Sequence, residues 1–264
     1  MYRYFILLSY DGTLYHGWQR QPNAVSVQEK IEDALQVPLG HKVSITGAGR
    51  TDTGVHARFM AAHFDSESQI DCQWLCFKLN CLLPQDISIY SVCPVTNDAH
   101  ARFSATARTY HYYLSLTKDP FNRPFSCRFY YPLDFDIMNQ AGTLLMKHTD
   151  FGSFCKTGSD NKTNICHLTQ ARWFQNGRQS WYFEITADRF LRNMVRAVVG
   201  TLIDVGKHKL TLEDFEQIIL AGDRRASGES MPACGLFLEN IEYPDSIFLT
   251  SEAPTSCLTK GTTC

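Results

Sequence analysis

The chain has 264 residues, 44% hydrophobic and 20% charged, an ordinary soluble globular composition with enough length for one large or two moderate cored domains. Net charge is -2 and the sequence pI about 6.5, which excludes a whole-protein basic signature for nucleic acid and leaves any such contact to local clusters. No run approaches the ~18 apolar residues of a membrane span, the N-terminus lacks the pattern of a secretory signal, and the ten cysteines lack paired C-x-x-C units, so reduced thiols in a cytoplasmic protein are expected.

Taken in chain order, the first residues alternate, with Tyr2, Tyr4, Ile6 and Leu8 on one face of a strand and Arg3, Phe5 and Leu7 on the other. Asp11-Gly12 marks a turn, with Asp11 as a turn residue. Ser26-Val-Gln-Glu29 reads as a capping box, followed by Val27, Ile31, Ala34 and Leu35 at helical spacing. A strand is expected over 42–45, then a glycine-rich loop, then an extended segment from Ala57 to Phe64. Asp71 can cap a helix carrying Trp74, Leu75 and Leu79. Pro84-Gln85-Asp86 ends it, and Ile87 to Val92 forms another strand.

A related order then recurs. Thr109 to Leu116 alternates, with Tyr110, Tyr112 and Leu114 on one face; 137–146 has helical spacing; Trp181, Phe183 and Ile185 alternate. Leu191, Met194, Val195, Val198, Val199 and Leu202 form an amphipathic stripe. Thr211 caps a short helix with Leu212, Phe215 and Ile219, and 235–243 closes with a strand. Strands and helices alternate without regular βαβ units, which argues for α+β with a mainly antiparallel sheet. The expected division is a half over 1–105, a second over 106–244, and a tail over 245–264 that is rich in Ser, Thr and Pro and expected to be disordered.

Arg outnumbers Lys, 15 to 10, and Arg suits planar phosphate contacts. From Arg102 to Arg128 there are five basic residues and one acidic, and Arg189, Arg192 and Arg196 form a second cluster. The segment most charged with chemistry is Gly47-Ala-Gly-Arg-Thr-Asp-Thr-Gly-Val-His-Ala57, whose small residues let backbone approach a ligand. It is not a phosphate loop, because Val55-His56 stand where Lys and Ser/Thr are needed. Nor is it a dinucleotide fingerprint, because Asp52 occupies the sixth position. The Arg50 guanidinium beside Asp52 favours an ionised carboxylate, suited to a nucleophile or electrostatic stabiliser and unsuited to a general acid. Asp52 as a simple turn aspartate is the competing reading. His56 is not favoured as a base, since Val55 and Ala57 suggest a packed strand. Cys155 and Cys166 near His167 are the remaining metal candidates, and Cys72 and Cys76 lack zinc-site spacing.

Gly49-Arg-Thr-Asp-Thr-Gly-Val-His-Ala57 resembles the signature loop of TruA-type tRNA pseudouridine synthases. Other segments agree in the family's order: Tyr10-Asp-Gly-Thr-Leu-Tyr-His-Gly-Trp-Gln19, Ser26-Val-Gln28, Phe103-Ser-Ala-Thr-Ala-Arg-Thr-Tyr110, Asn122-Arg-Pro124, Phe190-Leu-Arg-Asn-Met-Val-Arg196 and Ala233-Cys-Gly-Leu-Phe-Leu238. Thr53, Phe59-Met60 and Met231 depart from the common pattern without removing a catalytic group.

The resemblance implies two ferredoxin-like halves joined into one mainly antiparallel sheet with flanking helices, a homodimer, and a tRNA substrate modified in the anticodon arm at uridines 38, 39 and 40. It implies that Asp52 attacks the nucleoside at C1′ or C6, that Arg50 holds the flipped state, that Tyr110 packs on the base, and that Arg196 pairs with the carboxylate. Phosphate or substrate contacts fall to Arg20, Arg58, Arg102, Arg108, Arg123 and Arg192. No cofactor or metal is implied, since nothing is oxidised or reduced and the uracil is retained. Two rival readings are a non-catalytic RNA-binding protein, which would not need Asp52, and a metal-dependent nuclease or deaminase, which would need a ligand cluster that the spacing lacks.

Overall fold

The computed structural model describes residues 1–159 and 161–249. Among them are five α-helices and nine strands, and every strand pairing detailed below is antiparallel save one parallel pair. The chain is thus α+β, as its pattern predicts. Its described residues divide into two compact units, one from Met1–Thr106 with the segment 241–249, the other Ala107–Asn240. The units are not two consecutive pieces, in contrast to the expected boundaries at 105 and 244, because the chain returns to the first unit at its C-terminal end.

The first unit runs β1 (Tyr2–Tyr10), α1 (Val27–Leu39), β2 (Thr46–Gly47), β3 (His56–Ser66), α2 (Cys72–Leu82) and β4 (Ile87–Val95). Its strands lie in the order β4-β1-β3, with β2 paired to β3. This is the order of a ferredoxin-like βαββαβ unit. β1 is paired along both edges, and both of its faces are covered: Tyr4, Phe5, Ile6, Leu7 and Leu8 are all buried. Its register is pinned at one end by Arg3, which lies opposite Asp65 and donates to both carboxylate oxygens at 2.7 and 2.9 Å. Ile31 and Leu35 of α1 and Leu75 and Leu79 of α2 complete the core. Ser26 caps α1 by accepting the Glu29 N–H at 3.3 Å. Only this half of the expected box forms, and the Glu29 carboxylate faces Arg20 instead, at 3.9 Å. Asp71 caps α2 as expected.

The strand expected over 42–45 is absent; pairing is confined to Thr46 and Gly47, opposite His63 and Ala62. The reason lies in α1. Ile45 is buried, and its N–H and carbonyl are taken by the Glu32 carboxylate (3.1 Å) and the Gln28 amide (3.0 Å) rather than by a neighbouring strand. Past 244, where a tail was expected, Asp245–Ile247 forms a 3-10 turn and Phe248 bridges to Val95. The remainder of that expected tail, 250–264, lies outside the described residues.

The second unit runs β5 (Ala107–Ser115), β6 (Cys127–Arg128), α3 (Phe135–Leu145), β7 (Leu168–Gln175), β8 (Ser180–Ala187), α4 (Met194–Gly206), α5 (Leu212–Ala221) and β9 (Leu236–Glu242). The order β9-β5-β8-β7 is again that of a ferredoxin-like sheet, with β6 added parallel to β5. Strand β7 escapes the sequence pattern because only Ala171 and Trp173 face inward, while Thr169 and Arg172 are exposed. It is an edge strand with a weak alternation signal. Phe135 of α3 stacks on Trp181 of β8 at 3.8 Å. Thr211 and Asp214 form a full capping box on α5. Helix α4 carries more than the expected stripe: Met194, Ala197, Val198, Gly200, Thr201 and Val205 are all fully buried, so it is enclosed almost all round. No helix among the described residues is long and apolar enough to cross a membrane.

Candidate active site

The loop between β2 and β3 carries Asp52, and its backbone is gripped by the segment that follows β1. Trp18 N–H donates to the Thr51 carbonyl at 3.3 Å, and Gly54 N–H donates to the Tyr15 carbonyl at 3.2 Å. Tyr10 Oη lies 2.9 Å from Thr51 Oγ1. The Gly12 N–H donates to buried His56 Nδ1 at 3.0 Å. Gly12 is obligatory at its position, since a Cβ there would sit 2.0 Å from the Val55 carbonyl oxygen. Within the loop, Val55 N–H closes a turn onto the Asp52 carbonyl at 3.1 Å. The gripping segment is itself pinned: Tyr15 is buried and its hydroxyl donates to Asp86 at 2.6 Å, and burial together with that bond pushes the phenol far above its usual range. Asp11 accepts from the Thr13 backbone and hydroxyl, the turn role expected of it.

The result is a half-buried carboxylate on a backbone fixed on both sides, a geometry that leaves its side chain little freedom to retreat. The glycines of the loop divide in a way the sequence does not reveal. Gly47, read as room for a ligand, makes room for the protein's own Trp18, whose indole would lie 2.4 Å from a Cβ. Gly49 faces open space, with nothing within 4 Å. His56 is a packed strand residue serving Gly12, as its neighbours suggest. Arg50 is exposed on the same loop as Asp52.

The other candidates of the first unit differ among themselves. Arg58 is exposed on β3. Arg20 is half exposed, and its guanidinium donates to Glu32 at 2.9 Å. Glu32 is buried and also accepts from Gln28 and Ile45, so Arg20 completes the neutralisation of a buried charge. Arg102 lies in a turn tied to β3 through His63, with its guanidinium 5.5 Å from the Phe103 ring centroid.

In the second unit, Tyr110 of β5 meets Phe190 edge-on at 5.0 Å, and Arg108 donates to the Asp188 carbonyl at 2.7 Å. Arg192 is exposed. Arg123 is exposed in a turn organised by Asp119, which accepts from Phe121 and Asn122. Arg196, in the first turn of α4, is braced by Met231: its Nε donates to the Met231 carbonyl at 2.6 Å, and Met231 N–H donates back to the Arg196 carbonyl at 3.1 Å. The strap bearing Met231 crosses α4 at Gly200, where a Cβ would lie 1.8 Å from the Glu229 carbonyl. Arg224 holds the strap through Ser227 and Ser230, each at 2.8 Å, and Ser230 also receives the Asn193 amide at 2.6 Å. Asn193 adopts a left-handed conformation (φ 66) at the start of α4. Neither Arg224 nor the strap is recognisable in the sequence beyond a run of small residues.

Cys166 is buried, its thiol pushed up to about 12 chiefly by that burial, and His167 turns its Nδ1 to Asp188 at 3.0 Å. No group of three or more His, Cys, Asp or Glu side chains fit to hold a metal ion occurs among the described residues.

A family model described as tRNA pseudouridine synthase matches residues 6–104 and 145–244. The chain belongs to the tRNA pseudouridine synthase family. Within it, the chain is 55% identical over 247 residues to the tRNA pseudouridine synthase A of Bacteroides fragilis, covering 93% of this chain and 98% of that protein. It is 54% identical over 250 residues to the protein of the same name from Bacteroides thetaiotaomicron, covering 94% and 93%. The likeness extends to a more distant relative of that name from Listeria monocytogenes, 37% identical over 247 residues, covering 92% and 100%. The first matched block contains the Asp52 loop and its gripping segment, and the second contains Arg196 and its strap. Tyr110 and Arg123 fall between the two blocks.

Proposed function

We propose that this member of the synthase family isomerises uridine to pseudouridine in the anticodon arm of tRNA, at positions 38, 39 and 40, with the Asp52 carboxylate as nucleophile. Family membership supports an isomerase that makes pseudouridine in tRNA. The observation that carries the assignment of Asp52 is the grip on its loop, where the backbone at Thr51 and Gly54 is bonded to Trp18 and Tyr15. A simple turn aspartate needs no such enclosure.

The target uridine leaves the helical stack to reach the carboxylate. Asp52 attacks C1′ or C6, the bond between N1 and C1′ breaks and leaves its electron pair on the uracil, the uracil turns, C5 bonds to C1′, and the bond from Asp52 to carbon breaks to restore the free carboxylate. The C5 hydrogen then leaves as a proton and N1 takes one up. Electrons and atoms balance within the nucleoside, so neither a redox cofactor nor a metal has a step to perform. Arg50 holds the flipped nucleotide, Tyr110 packs against the base, and Arg196 supports the ionised carboxylate. Arg58, Arg102, Arg108, Arg123, Arg192 and the outer face of Arg20 contact the RNA backbone, with a salt-sensitive affinity. The enzyme works as a homodimer in the cytoplasm.

Tritium release from tRNA labelled at uridine C5, in excess chelator, tests the chemistry. Changing uridines 38, 39 and 40 singly to cytidine tests the positions. The account expects release unaffected by chelator and reduced by each replacement. Release that needs metal, or that survives replacement of all three uridines, contradicts it. Sedimentation of the pure protein at a monomer's mass contradicts the dimer.

A further inference from the structure

The turn from Ala99 to Ser104 holds an exposed aromatic ring on an unusually firm base. Phe103 is 75% exposed, yet the backbone beneath it is tied at nearly every residue. Arg3 donates to the Ala99 carbonyl at 3.0 Å, and Tyr243 Oη donates to the Ala101 carbonyl at 2.5 Å. The Ala101 N–H donates to His63 Nδ1 at 3.1 Å. His100 N–H donates to Ser104 Oγ, and Ser104 N–H returns to the His100 carbonyl, each at 2.9 Å. His100 Nδ1 accepts the backbone N–H groups of Arg102 and Phe103 at 3.0 and 3.3 Å.

The rings form a ladder that rises from the core to solvent. His63, buried on β3, meets His100 at 4.5 Å between centroids, and His100 meets Phe103 at 4.4 Å. Burial keeps both imidazoles more easily deprotonated than usual, His63 down to about 4, and the backbone N–H groups that each Nδ1 accepts set the proton of the neutral ring on Nε2. The Arg102 guanidinium lies 5.5 Å from the Phe103 centroid, within reach of a cation–π contact. A lone apolar side chain in water is ordinary on a protein surface; what sets Phe103 apart is its tied backbone, the rings stacked beneath it and the guanidinium beside it. An exposed ring beside a cation is suited to an unpaired base on an anionic backbone. His63 lies opposite Thr46 of β2, where the loop that carries Asp52 begins, and seven residues beyond His56, where that loop ends, so the ladder's foot stands beside the start of the loop. A base stacked there belongs to a nucleotide other than the one whose uracil is proposed to pack on Tyr110.

We propose that Phe103, with Arg102 beside it, is a stacking platform for an unpaired nucleobase of the tRNA substrate, separate from the nucleotide that reaches Asp52. The inference rests on the RNA-modifying reading above.

Full-length wild type and Phe103→Ala, Phe103→Leu and Phe103→Trp variants are compared for affinity to an unmodified tRNA transcript at fixed salt, for KM and kcat in tritium release, and for sedimenting mass. Phe103→Ala should weaken binding about tenfold and raise KM while leaving kcat at saturating tRNA unchanged. Phe103→Leu should be as poor, because it keeps apolar bulk without a π face, and Phe103→Trp should bind at least as tightly as wild type. Unchanged affinity in Phe103→Ala, or full binding by Phe103→Leu, overturns the platform. A change of sedimenting mass in Phe103→Ala also overturns it, by assigning the ring to contacts between copies. Wild type that binds tRNA but releases no tritium defeats the enzymatic reading, and the affinities still decide the platform. Wild type that neither binds nor modifies tRNA defeats both.

Discussion

The Asp52 loop in one unit and the start of α4 in the other each hold a charged side chain proposed for the reaction, and they do so by different means. The loop is irregular backbone, fixed by main-chain bonds from the Tyr10–Trp18 segment and by the close approach of Gly12 to Val55. Arg196 stands on a regular helix, and what is fixed there is the side chain, through the reciprocal pair with Met231 on a strap that crosses Gly200. A loop must borrow rigidity from its neighbours, whereas a helix supplies backbone order and needs a brace only for the long side chain. Both devices depend on a missing Cβ, so both are open to the smallest possible substitution.

Gly12→Ala drives a methyl into the Val55 carbonyl and should displace the loop that bears Asp52. The expected loss of kcat is about 100-fold, with tRNA affinity retained, read by tritium release and filter binding. Gly49→Ala, in open space on the same loop, should leave the melting temperature unchanged. If both variants behave alike, the glycines do not divide as described. Gly200→Ala should lift the strap from α4 and destabilise the fold by about 1–3 kcal/mol, measured by denaturant unfolding. A variant as stable as wild type would mean that the strap yields at no cost.

A pH effect separates the first unit from the second. Burial lowers His63 to about 4 from an ordinary 6.5, with His100 and Arg3 pressing the same way and Asp65 against. The unfolded chain therefore binds a proton more readily between those values. The stabilising contribution is complete above pH 6.5 and is lost as pH falls from about 6.5 through 4. Unfolding free energy should fall over that window, and His63→Gln should flatten the slope; an equal slope in the variant would rule His63 out as its source. A small effect is expected of Thr211→Ala, which removes the α5 cap at a cost of about 1 kcal/mol without altering kcat. A drop in kcat would tie α5 to the active site, against this account.

Most of the fold is legible in the sequence wherever one face of an element is buried and the other is wet. Strand β8, helix α3 and the caps at Asp71 and Thr211 all follow from periodicity and residue type. The misreadings have a common origin in contacts distant along the chain. The backbone at Ile45 looks free to pair until Gln28 and Glu32 of α1 are seen to occupy it. Edge strand β7 shows too little alternation, and the return of the chain after β9 to the first unit carries no local mark. In the site, Asp52 stands out because it is the one acid in a glycine-rich loop. The grip by Tyr10, Gly12 and Trp18 is visible only as a motif, since its meaning lies in atoms some 40 residues away in sequence. Arg20 shows the converse: its charge suggests phosphate, and only the structure reveals Glu32 beneath it.

The central claim is that Asp52 attacks the nucleoside. The most direct test compares wild type with Asp52→Asn for tritium release from C5-labelled tRNA, at protein concentrations giving equal tRNA binding. The account predicts release by wild type and none by the variant, with affinity for tRNA retained. Release by Asp52→Asn at a rate near that of wild type would contradict it and return Asp52 to the role of a turn residue.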